Sequence, residues 1–463
     1  MLVSERSSIS NTITTSMVPD KVVWCCLFLL AAFSCRQDLP PTVRVVQDES
    51  KAGTKVKLVL SDTVYEAVAD STGSTLFRPD RGFRAGYADL FYERGIITIY
   101  LEENKSLEIK RDKSGEWQFC GECGAINRYL NSERVRCFQI DCKPEEARFL
   151  EDVRRSLRGW QAHLDSLGLK EAFVQMEKKR LQWVVANRLV LYPFAHARIS
   201  GRTDYVPSEK FYRQVEQMFR EEDSLCFLYE YRVAFKNLVK LMGNKGLDNK
   251  DPLSSLKGQL HYIADCLHGP CLTAFLVDEL VSEYVAGHGV DGLEPLLPFY
   301  MQKVTDPDRI NRFENLYRRW LPLARGKPSP EFSYKDISGQ VVGLRDLRGK
   351  YVYIDLWATW CYFCCKEIPD LKKLEARLHR RNICFVSISV DKDRTAWEKK
   401  VKADRLGGIQ LIAGEDRSFR NAYLVEGIPR FILLDPEGKI VDANMSRPSD
   451  PETFRFLNSL PGL

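Results

Sequence analysis

Apolar and polar residues alternate between residues 43 and 112, which is the pattern of strands that bury one face. The alternating apolar positions are Val56, Leu58 and Leu60, then Ile97, Ile99 and Leu101, and finally Leu107 and Ile109. Glycines separate these runs in the manner of turns, at Gly53, Gly73, Gly82, Gly86 and Gly95. We therefore predict a small all-β domain over residues 43–112.

The period of the apolar positions changes to 3.6 residues from about residue 145 to residue 325, which indicates amphipathic helices. The first such segment carries one apolar face, formed by Phe149, Leu150, Val153, Leu157, Trp160 and Leu164. Similar faces recur in segments 181–191, 211–219 and 272–284. We predict a mainly helical domain over residues 113–325, and we assign its aromatic and Met side chains at helical spacing to the core.

The segment from Arg325 to Pro330 interrupts the helical pattern and marks a domain boundary. Beyond this boundary, strand and helix patterns alternate. The expected strands are 352–356, 383–390, 431–434 and 439–444, and the expected helices are 361–380, 395–406 and one that begins near Pro451. Alternation of this kind with a closing hairpin predicts an α/β sandwich around a mixed sheet for residues 326–463.

The composition is that of a globular protein with several cores. Of the 463 residues, 44% are hydrophobic and 28% are charged, and the formal net charge is +5. A chain of this length exceeds one ordinary core, so two or three domains are expected. Basic residues alternate with acidic ones instead of forming a patch. This argues against a nucleic-acid surface, and we expect no nucleic acid among the partners.

An unbroken apolar run of eleven residues, from Val22 to Ala32, lies near the N-terminus. As a helix it would rise only ~16 Å, too little for a ~30 Å hydrocarbon core, so it fits the apolar region of a secretory signal peptide. The following Ser34 and Cys35 resemble the end of a bacterial lipoprotein signal, although Phe33 is bulky for its place. This resemblance implies a lipid anchor on Cys35 within a signal region 1–35, and Met17 is an alternative start.

The main chemical signal is a Cys-x-x-Cys pair, Cys361 and Cys364, placed where a predicted strand ends and a predicted helix begins. Two intervening residues in a first helical turn bring the sulfur atoms within bonding distance. The helix N-terminus favours the thiolate form of Cys361, and the thiolate is the attacking species in thiol–disulfide exchange. Cys364, one turn into the helix, would then resolve the mixed disulfide.

The residues around this pair resemble the TlpA/ResA-like disulfide reductases of the thioredoxin superfamily. The resemblance spans about residues 327–460 and rests on Pro328-Ser329-Pro330-Glu331-Phe332, Asp336-Ile337-Ser338-Gly339, Leu347-Arg348-Gly349-Lys350, the stretch 357–364, Pro369 and Gly427-Ile428-Pro429. It implies a thioredoxin fold with a cis peptide bond between Ile428 and Pro429. The order of signal, β domain, helical domain and TlpA-like domain is similar to that of Bacteroidota lipoproteins.

The same resemblance implies roles for single residues. Asp355 would take the proton of Cys364 when the mixed disulfide resolves, and Glu367 would tune the thiols. For both acids the alternative is an ordinary structural carboxylate. The backbone of Ile428 would pair with an extended segment of the substrate. The implied substrate-binding surface consists of Trp360, Tyr362, Phe363, Ile428 and Pro429.

Some residues depart from this family or point to other chemistry. Tyr362-Phe363 replaces the Gly-Pro or Glu-Pro common in reducing members, so the direction of electron flow stays open. Cys365 gives the cysteine spacing of Sco-like copper sites, but the histidine of this domain, His379, lies on the first helix, and we expect no metal. Ala358 stands where a peroxiredoxin needs Thr or Ser, which argues against peroxidase chemistry.

Four further cysteines follow the β domain with zinc-ribbon-like spacing, namely Cys120, Cys123, Cys137 and Cys142. In an exported protein such cysteines can also form disulfides or stay as buried thiols, and the three alternatives remain open. Cys266 and Cys271 flank His268, and we expect a structural role for this group.

Together these features predict an envelope thiol–disulfide oxidoreductase that acts on protein disulfides through Cys361 and Cys364. The redox-active disulfide itself carries the electrons, so no other cofactor is expected. The first hypothesis is a disulfide reductase that a membrane thiol donor recharges, while an oxidase or isomerase would share the site and differ in redox potential. The alternative is a lipoprotein scaffold that uses the fold only for recognition, since region 43–325 has no assigned activity.

Overall fold

The structure is a computed structural model of the chain. It describes residues 41–47, 49–60, 63–79, 83, 85–92, 95–111, 115–132, 135, 140–202, 205–247 and 251–463. The predicted signal region with Met17 and Cys35, as well as Gly82 and Cys137, lies outside the described residues. The described residues form two compact units, one up to residue 135 and one from residue 140 onward.

The first unit contains eight strands and one helix among its described residues. The strands are β1 Thr42–Val46, β2 Lys55–Leu60, β3 Thr63–Val68, β4 Ser74–Phe77, β5 Ala85–Tyr92, β6 Gly95–Glu102, β7 Ser106–Arg111 and β8 Trp117–Cys120, and the helix is α1 Gly124–Leu130. They form two four-stranded sheets with the orders β4-β1-β7-β8 and β3-β2-β5-β6. The alternating residues identified above, such as Val56, Leu58 and Ile99, form one core between them.

The β region extends beyond the predicted boundary at residue 112, because β8 and α1 belong to it. β8 pairs with β7 in antiparallel fashion. The buried side chain of Asn127 on α1 accepts a hydrogen bond from the Tyr100 N–H at 2.8 Å and donates to the carbonyl oxygens of Tyr100 and Cys123 at 2.9 and 2.8 Å. One amide therefore satisfies backbone groups of β6 and of the turn before α1.

The second unit begins with the predicted helical region. Its helices are α2 Glu146–Asp165, α3 Glu171–Ser200, α4 Glu209–Met218, α5 Tyr229–Gly243, α6 Pro252–Cys266, α7 Pro270–His288, α8 Leu297–Lys303 and α9 Pro307–Trp320. The predicted apolar faces are buried, and the rings of Phe149 and Tyr192 stack 4.0 Å apart between α2 and α3. Among the described residues, no helix has both the length and the apolar character that crossing a bilayer requires.

The C-terminal part of the second unit is the predicted α/β sandwich. Its strands are β9 Ser333–Asp336, β10 Val341–Gly343, β11 Tyr351–Trp357, β12 Ile383–Ser389, β13 Ile409–Ile412, β14 Arg430–Leu434 and β15 Ile440–Met445. Its helices are α10 Tyr362–Leu378, α11 Arg394–Asp404, α12 Ser418–Ala422 and α13 Pro451–Asn458. These elements form a thioredoxin fold, as predicted.

The mixed sheet has the order β10-β9-β13-β12-β11-β14-β15 and places β11 near its centre. β11 is parallel to β12 and antiparallel to β14. All seven residues of β11 are buried, as expected for a strand that helices cover on both faces. This central strand delivers the chain to the two cysteines.

Candidate redox site

The two cysteines lie at the junction between β11 and α10. Cys361 is the N-cap residue of α10, and its sulfur accepts a hydrogen bond from the Cys364 N–H at 3.1 Å. A disulfide joins the two residues, whose Cα atoms are 5.2 Å apart. Cys361 thus lies where unpaired N–H groups and the helix dipole favour negative charge, as the sequence predicted.

The loop before Cys361 is held by a buried acid at the end of β12. The carboxylate of Asp391 accepts hydrogen bonds from the backbone N–H and the hydroxyl of Thr359 at 2.9 and 2.8 Å. It also accepts the hydroxyl of Ser389 at 2.7 Å. Asp391 carries no local sequence signal of this role, because nothing in its neighbourhood distinguishes it from the exposed acids that follow strands.

Aromatic and aliphatic side chains surround the disulfide. Trp357 and Trp397 are buried, and they pack with Cys361, Cys364 and Val401 in one hydrophobic cluster. Trp397 comes from α11, so this helix contributes to the packing around the disulfide. The cluster excludes water from the sulfur of Cys364, which is buried.

The loop before β14 lies against the outer sulfur. The peptide bond between Ile428 and Pro429 is cis, as the resemblance implied. The carbonyl oxygen of Ile428 lies 3.7 Å from the sulfur atom of Cys361. Both Ile428 and Pro429 are only half-buried, so the backbone next to the sulfur remains accessible to another chain.

Asp355 is buried in the middle of β11. Its Oδ1 atom has no hydrogen-bond partner among the described residues. Burial, and after it the nearby Glu367 and Glu375, raise the pKa of Asp355 to about 8. A cavity of about 10 Å³, which is the size that holds one water molecule, lies between Asp355, Glu375 and Gln410. A carboxyl with this pKa can both donate and accept a proton near neutral pH.

Glu367 is buried on α10, where Ser449 binds its carboxylate. Ser449 donates its N–H to Oε2 at 3.1 Å and its hydroxyl to Oε1 at 3.0 Å. The guanidinium of Arg447 lies 3.8 Å from Oε1. Glu367 therefore connects α10 to the segment after β15, and its charge acts on Asp355.

Three aromatic side chains next to Cys361 are exposed. The exposed fractions of Trp360, Tyr362 and Phe363 are 69%, 64% and 61%. A cleft of about 610 Å³ adjoins Trp360 and is lined by Thr359, Asp391, Lys392, Glu415 and Arg417 as well. Several large apolar side chains exposed next to one another are unusual on a protein surface, and such patches mark contact sites.

Other residues considered as alternatives do not join the site. His379 is the C-cap residue of α10, roughly 25 Å along the helix from Cys361, so it cannot share a copper ion with Cys361 and Cys365. The sulfur of Cys365 lies 3.6 Å from the carbonyl oxygen of Thr359. Cys120, Cys123 and Cys142 carry free thiols, while Cys137 lies outside the described residues.

Comparisons with known proteins place the chain among oxidoreductases. A family model described as AhpC/TSA family matches residues 325–443. The chain is 29% identical to the thiol-disulfide oxidoreductase ResA of Bacillus subtilis (strain 168) over 141 residues, which are 30% of this chain and 78% of ResA. It is 28% identical to ResA of Geobacillus thermodenitrificans over 129 residues, which are 28% of this chain and 73% of that protein.

Solved structures of Bacteroides vulgatus proteins are also similar. One, described as a candidate thiol-disulfide oxidoreductase, is 55% identical, and the match covers 31% of this chain and 96% of that one with a TM-score of 0.28. Another, the thioredoxin domain of a thiol-disulfide oxidoreductase, is 30% identical, with coverages of 29% and 96% and a TM-score of 0.28.

Proposed function

Because the C-terminal domain of this chain belongs to the ResA-like thiol-disulfide oxidoreductases, we propose that the protein reduces disulfide bonds of protein substrates in the cell envelope. The observation that carries the proposal is the position of Cys361 at the N-cap of α10 with Cys364 in the first turn. This geometry supports an attacking thiolate and a resolving thiol in one rigid element.

In the reduced protein, the Cys361 thiolate attacks one sulfur of the substrate disulfide and expels the other as a thiolate. Cys364 then attacks the Cys361 sulfur of the mixed disulfide and releases the second substrate thiol. The substrate gains two electrons, and the pair ends as the disulfide seen in the structure. A donor dithiol at the membrane would return two electrons to the pair, so the exchange requires no bound cofactor.

Asp355 would serve as the proton acceptor of Cys364 in the resolving step. With a pKa of about 8, roughly one tenth of the Asp355 carboxyls are ionised at pH 7 and able to accept this proton. The protonated remainder suits the reverse transfer, in which the leaving Cys364 thiolate is protonated when the donor reduces the pair. Burial within the central strand thus suits this one carboxyl to both halves of the proposed cycle.

Substrate would bind across the exposed aromatic side chains and the loop of Ile428. Trp360, Tyr362 and Phe363 offer apolar area around Cys361. The accessible backbone at Ile428, with its carbonyl oxygen 3.7 Å from the Cys361 sulfur, suits pairing with an extended substrate segment. We infer that the enzyme prefers disulfides in unfolded or extended chains that carry apolar residues beside the cysteine.

The envelope location follows from the predicted signal peptide, and the anchor would be a lipid on Cys35. Metabolic labelling with a radioactive fatty acid tests the anchor, since Cys35→Ala should abolish incorporation. Labelling that persists in this variant would contradict it.

Insulin reduction with dithiothreitol as the electron source tests the enzymatic proposal. The wild-type protein should accelerate precipitation of the insulin B chain, and Cys361→Ser should abolish the acceleration. Equilibration with glutathione then measures the reduction potential of the cysteine pair, which indicates the direction of electron flow. The potential of a reductase should lie near the ~ −270 mV of thioredoxin, and that of an oxidase near the ~ −120 mV of DsbA. A wild-type rate equal to that of the Cys361→Ser variant would favour the scaffold alternative.

A further inference from the structure

A second pair of cysteines lies close together in the helical region. Cys226 follows the 3-10 turn Asp223–Leu225, and Cys271 is the second residue of α7. α5 and α6 separate the two cysteines along the chain, yet their sulfur atoms and a carboxylate oxygen of Asp223 all lie within 4.8 Å of one another. Along the sequence Cys271 is grouped with Cys266, and only the fold brings Cys226 near it.

Asp223 binds the backbone of one cysteine and the thiol of the other. Its Oδ2 accepts the Cys271 N–H at 3.0 Å, and its Oδ1 accepts the Leu272 N–H at 2.9 Å. The thiol of Cys226 donates to the same Oδ1 at 3.4 Å. One carboxylate thus fixes both cysteines in the same place.

Glu221 strengthens the same connection from two residues before Asp223. Its carboxylate accepts the His268 N–H at 3.0 Å and the Gly269 N–H at 2.6 Å. These bonds and those of Asp223 tie the 221–226 segment to the start of α7 independently of any bond between the two sulfur atoms. The approach of the two thiols is therefore a property of the fold and precedes any covalent bond between them.

The two thiols differ in access to solvent. Cys271 is exposed, whereas Cys226 is buried. Burial, and after it the Cys271 thiol and the Asp223 carboxylate, raise the pKa of Cys226 far above its ordinary value. Cys271 is consequently the thiol that an external reagent reaches, and Cys226 is placed to react with Cys271 alone.

We propose that Cys226 and Cys271 form a second dithiol–disulfide couple, a covalent clamp between the 221–226 segment and the N-terminus of α7. The oxidant is a disulfide, such as oxidised glutathione. The Cys271 thiolate attacks one sulfur of the oxidant and expels the other as a thiolate, which takes up a proton from solvent, and a mixed disulfide remains on Cys271. The Cys226 thiol then attacks the Cys271 sulfur, and its proton passes to the departing sulfur, which leaves as the second thiol. Two protein thiols lose two electrons, and one external disulfide becomes two thiols.

A metal site is the competing use of the same three side chains. Structural zinc takes four protein ligands, but within the described part of the chain the cluster has only Asp223, Cys226 and Cys271. The carboxylate is moreover engaged by two backbone N–H groups and a thiol. A disulfide needs only the two sulfurs, and both are present.

The test uses the full chain with Cys361→Ser and Cys364→Ser, so that the redox site contributes no thiols. The protein is equilibrated with mixtures of reduced and oxidised glutathione, alkylated, digested without reductant and analysed by mass spectrometry. We expect a peptide linked through Cys226 and Cys271 under oxidising conditions and two alkylated thiols in its place under reducing ones. Cys271→Ser, a change at an exposed side chain, should remove the linked peptide, whereas Cys266→Ser should leave it intact.

Three results would overturn the proposal. The first is that both thiols stay free at every glutathione ratio. The second is a link from Cys271 to Cys266, which would indicate indiscriminate oxidation of exposed thiols. The third is one zinc ion bound per reduced chain, measured with zinc alone, that protects both thiols from alkylation. Because the redox-site cysteines are absent, all three results are independent of the proposed reductase activity.

Discussion

The carboxylate of Asp391 accepts hydrogen bonds from both the backbone N–H and the hydroxyl of Thr359, at 2.9 and 2.8 Å, two residues before Cys361. Asp391 follows β12, so this contact joins the ends of two adjacent parallel strands. The position of the loop that presents Cys361 therefore depends on a residue outside the Cys-x-x-Cys motif.

Asp391→Ala should destabilise the protein and slow insulin reduction. The change leaves the N–H and hydroxyl of Thr359 without their buried acceptor, which costs roughly 2 kcal/mol of unfolding free energy, measured by urea denaturation. The matched control is Asp393→Ala, which removes the N-cap of α11 and should cost about 1 kcal/mol with an unchanged kcat. A normal kcat in Asp391→Ala would show that the loop does not need this contact.

Asp355→Asn should change how stability depends on pH. The folded-state pKa of about 8 lies above the ordinary value of 3.8, so between these values the folded protein binds more protons than the unfolded one. Wild-type stability should therefore fall as pH rises through this window, by up to about 1.4 kcal/mol per pH unit. The variant lacks this titration, so its free energy of unfolding relative to that of the wild type should rise by this amount per pH unit. Parallel stability curves for the two proteins would contradict the assignment.

The same variant should slow resolution of the mixed disulfide. Loss of a positioned proton acceptor costs about 100-fold in rate, and stopped-flow mixing with a disulfide peptide measures the step directly. The attack by Cys361 should be unaffected, since the role proposed for Asp355 concerns only the proton of Cys364. Equal slowing of both steps would indicate a structural role for Asp355.

Glu367→Gln should shift the pH–rate profile toward lower pH. Glu367 contributes the second-largest effect on Asp355 after burial, and its negative charge raises the pKa of Asp355. Without this charge, Asp355 ionises at a lower pH, and the rate at which the mixed disulfide is resolved should reach its plateau at a lower pH. Glu375→Gln is the matched control, because its influence on Asp355 is the smaller of the two. A larger shift in the control would exclude this role for Glu367.

The exposed aromatic residues should affect protein substrates but not small disulfides. Replacing both Tyr362 and Phe363 with Ala should raise the KM for insulin roughly tenfold, as loss of an interface anchor does, while the rate with oxidised glutathione stays the same. Tyr229, 65% exposed in the helical region, supplies the control Tyr229→Ala. Equal effects on both substrates would assign the aromatic side chains to the chemistry and not to binding.

The two neighbouring cysteines of α10 should differ in function. Cys364→Ser should trap a mixed disulfide between Cys361 and the substrate, visible on a non-reducing gel, because the resolving thiol is missing. Cys365→Ser should retain activity, since the Cys365 sulfur contacts the Thr359 carbonyl and is outside the disulfide. A trapped complex in Cys365→Ser would reassign the resolving thiol.

Much of the C-terminal domain could be predicted from local pattern. The apolar run of β11, the cysteine pair at the start of α10 and the hairpin of β14 and β15 were all predicted within a few residues. Each is encoded by neighbouring residues, either as periodicity or as a motif with fixed spacing. The division into β, helical and α/β regions follows from the same changes of period.

The structure also contains elements without a local signal. β13 has only four residues, Ile409–Ile412, and exists because β12 pairs with it on one side and β9 on the other. β8 and α1 extend the β region for the same reason, since their partners are β7 and β6. Short segments acquire their conformation from such pairing and not from their own propensity.

Local sequence patterns predict the type of fold and place Cys361 and Cys364 at the start of a helix, because both signals come from residues a few positions apart. The packing of distant segments brings Asp391 to Thr359 and Cys226 to Cys271. Those contacts join residues that are distant along the chain. They form when strands and helices pack, and the local pattern of apolar and polar residues does not specify which distant side chains come into contact.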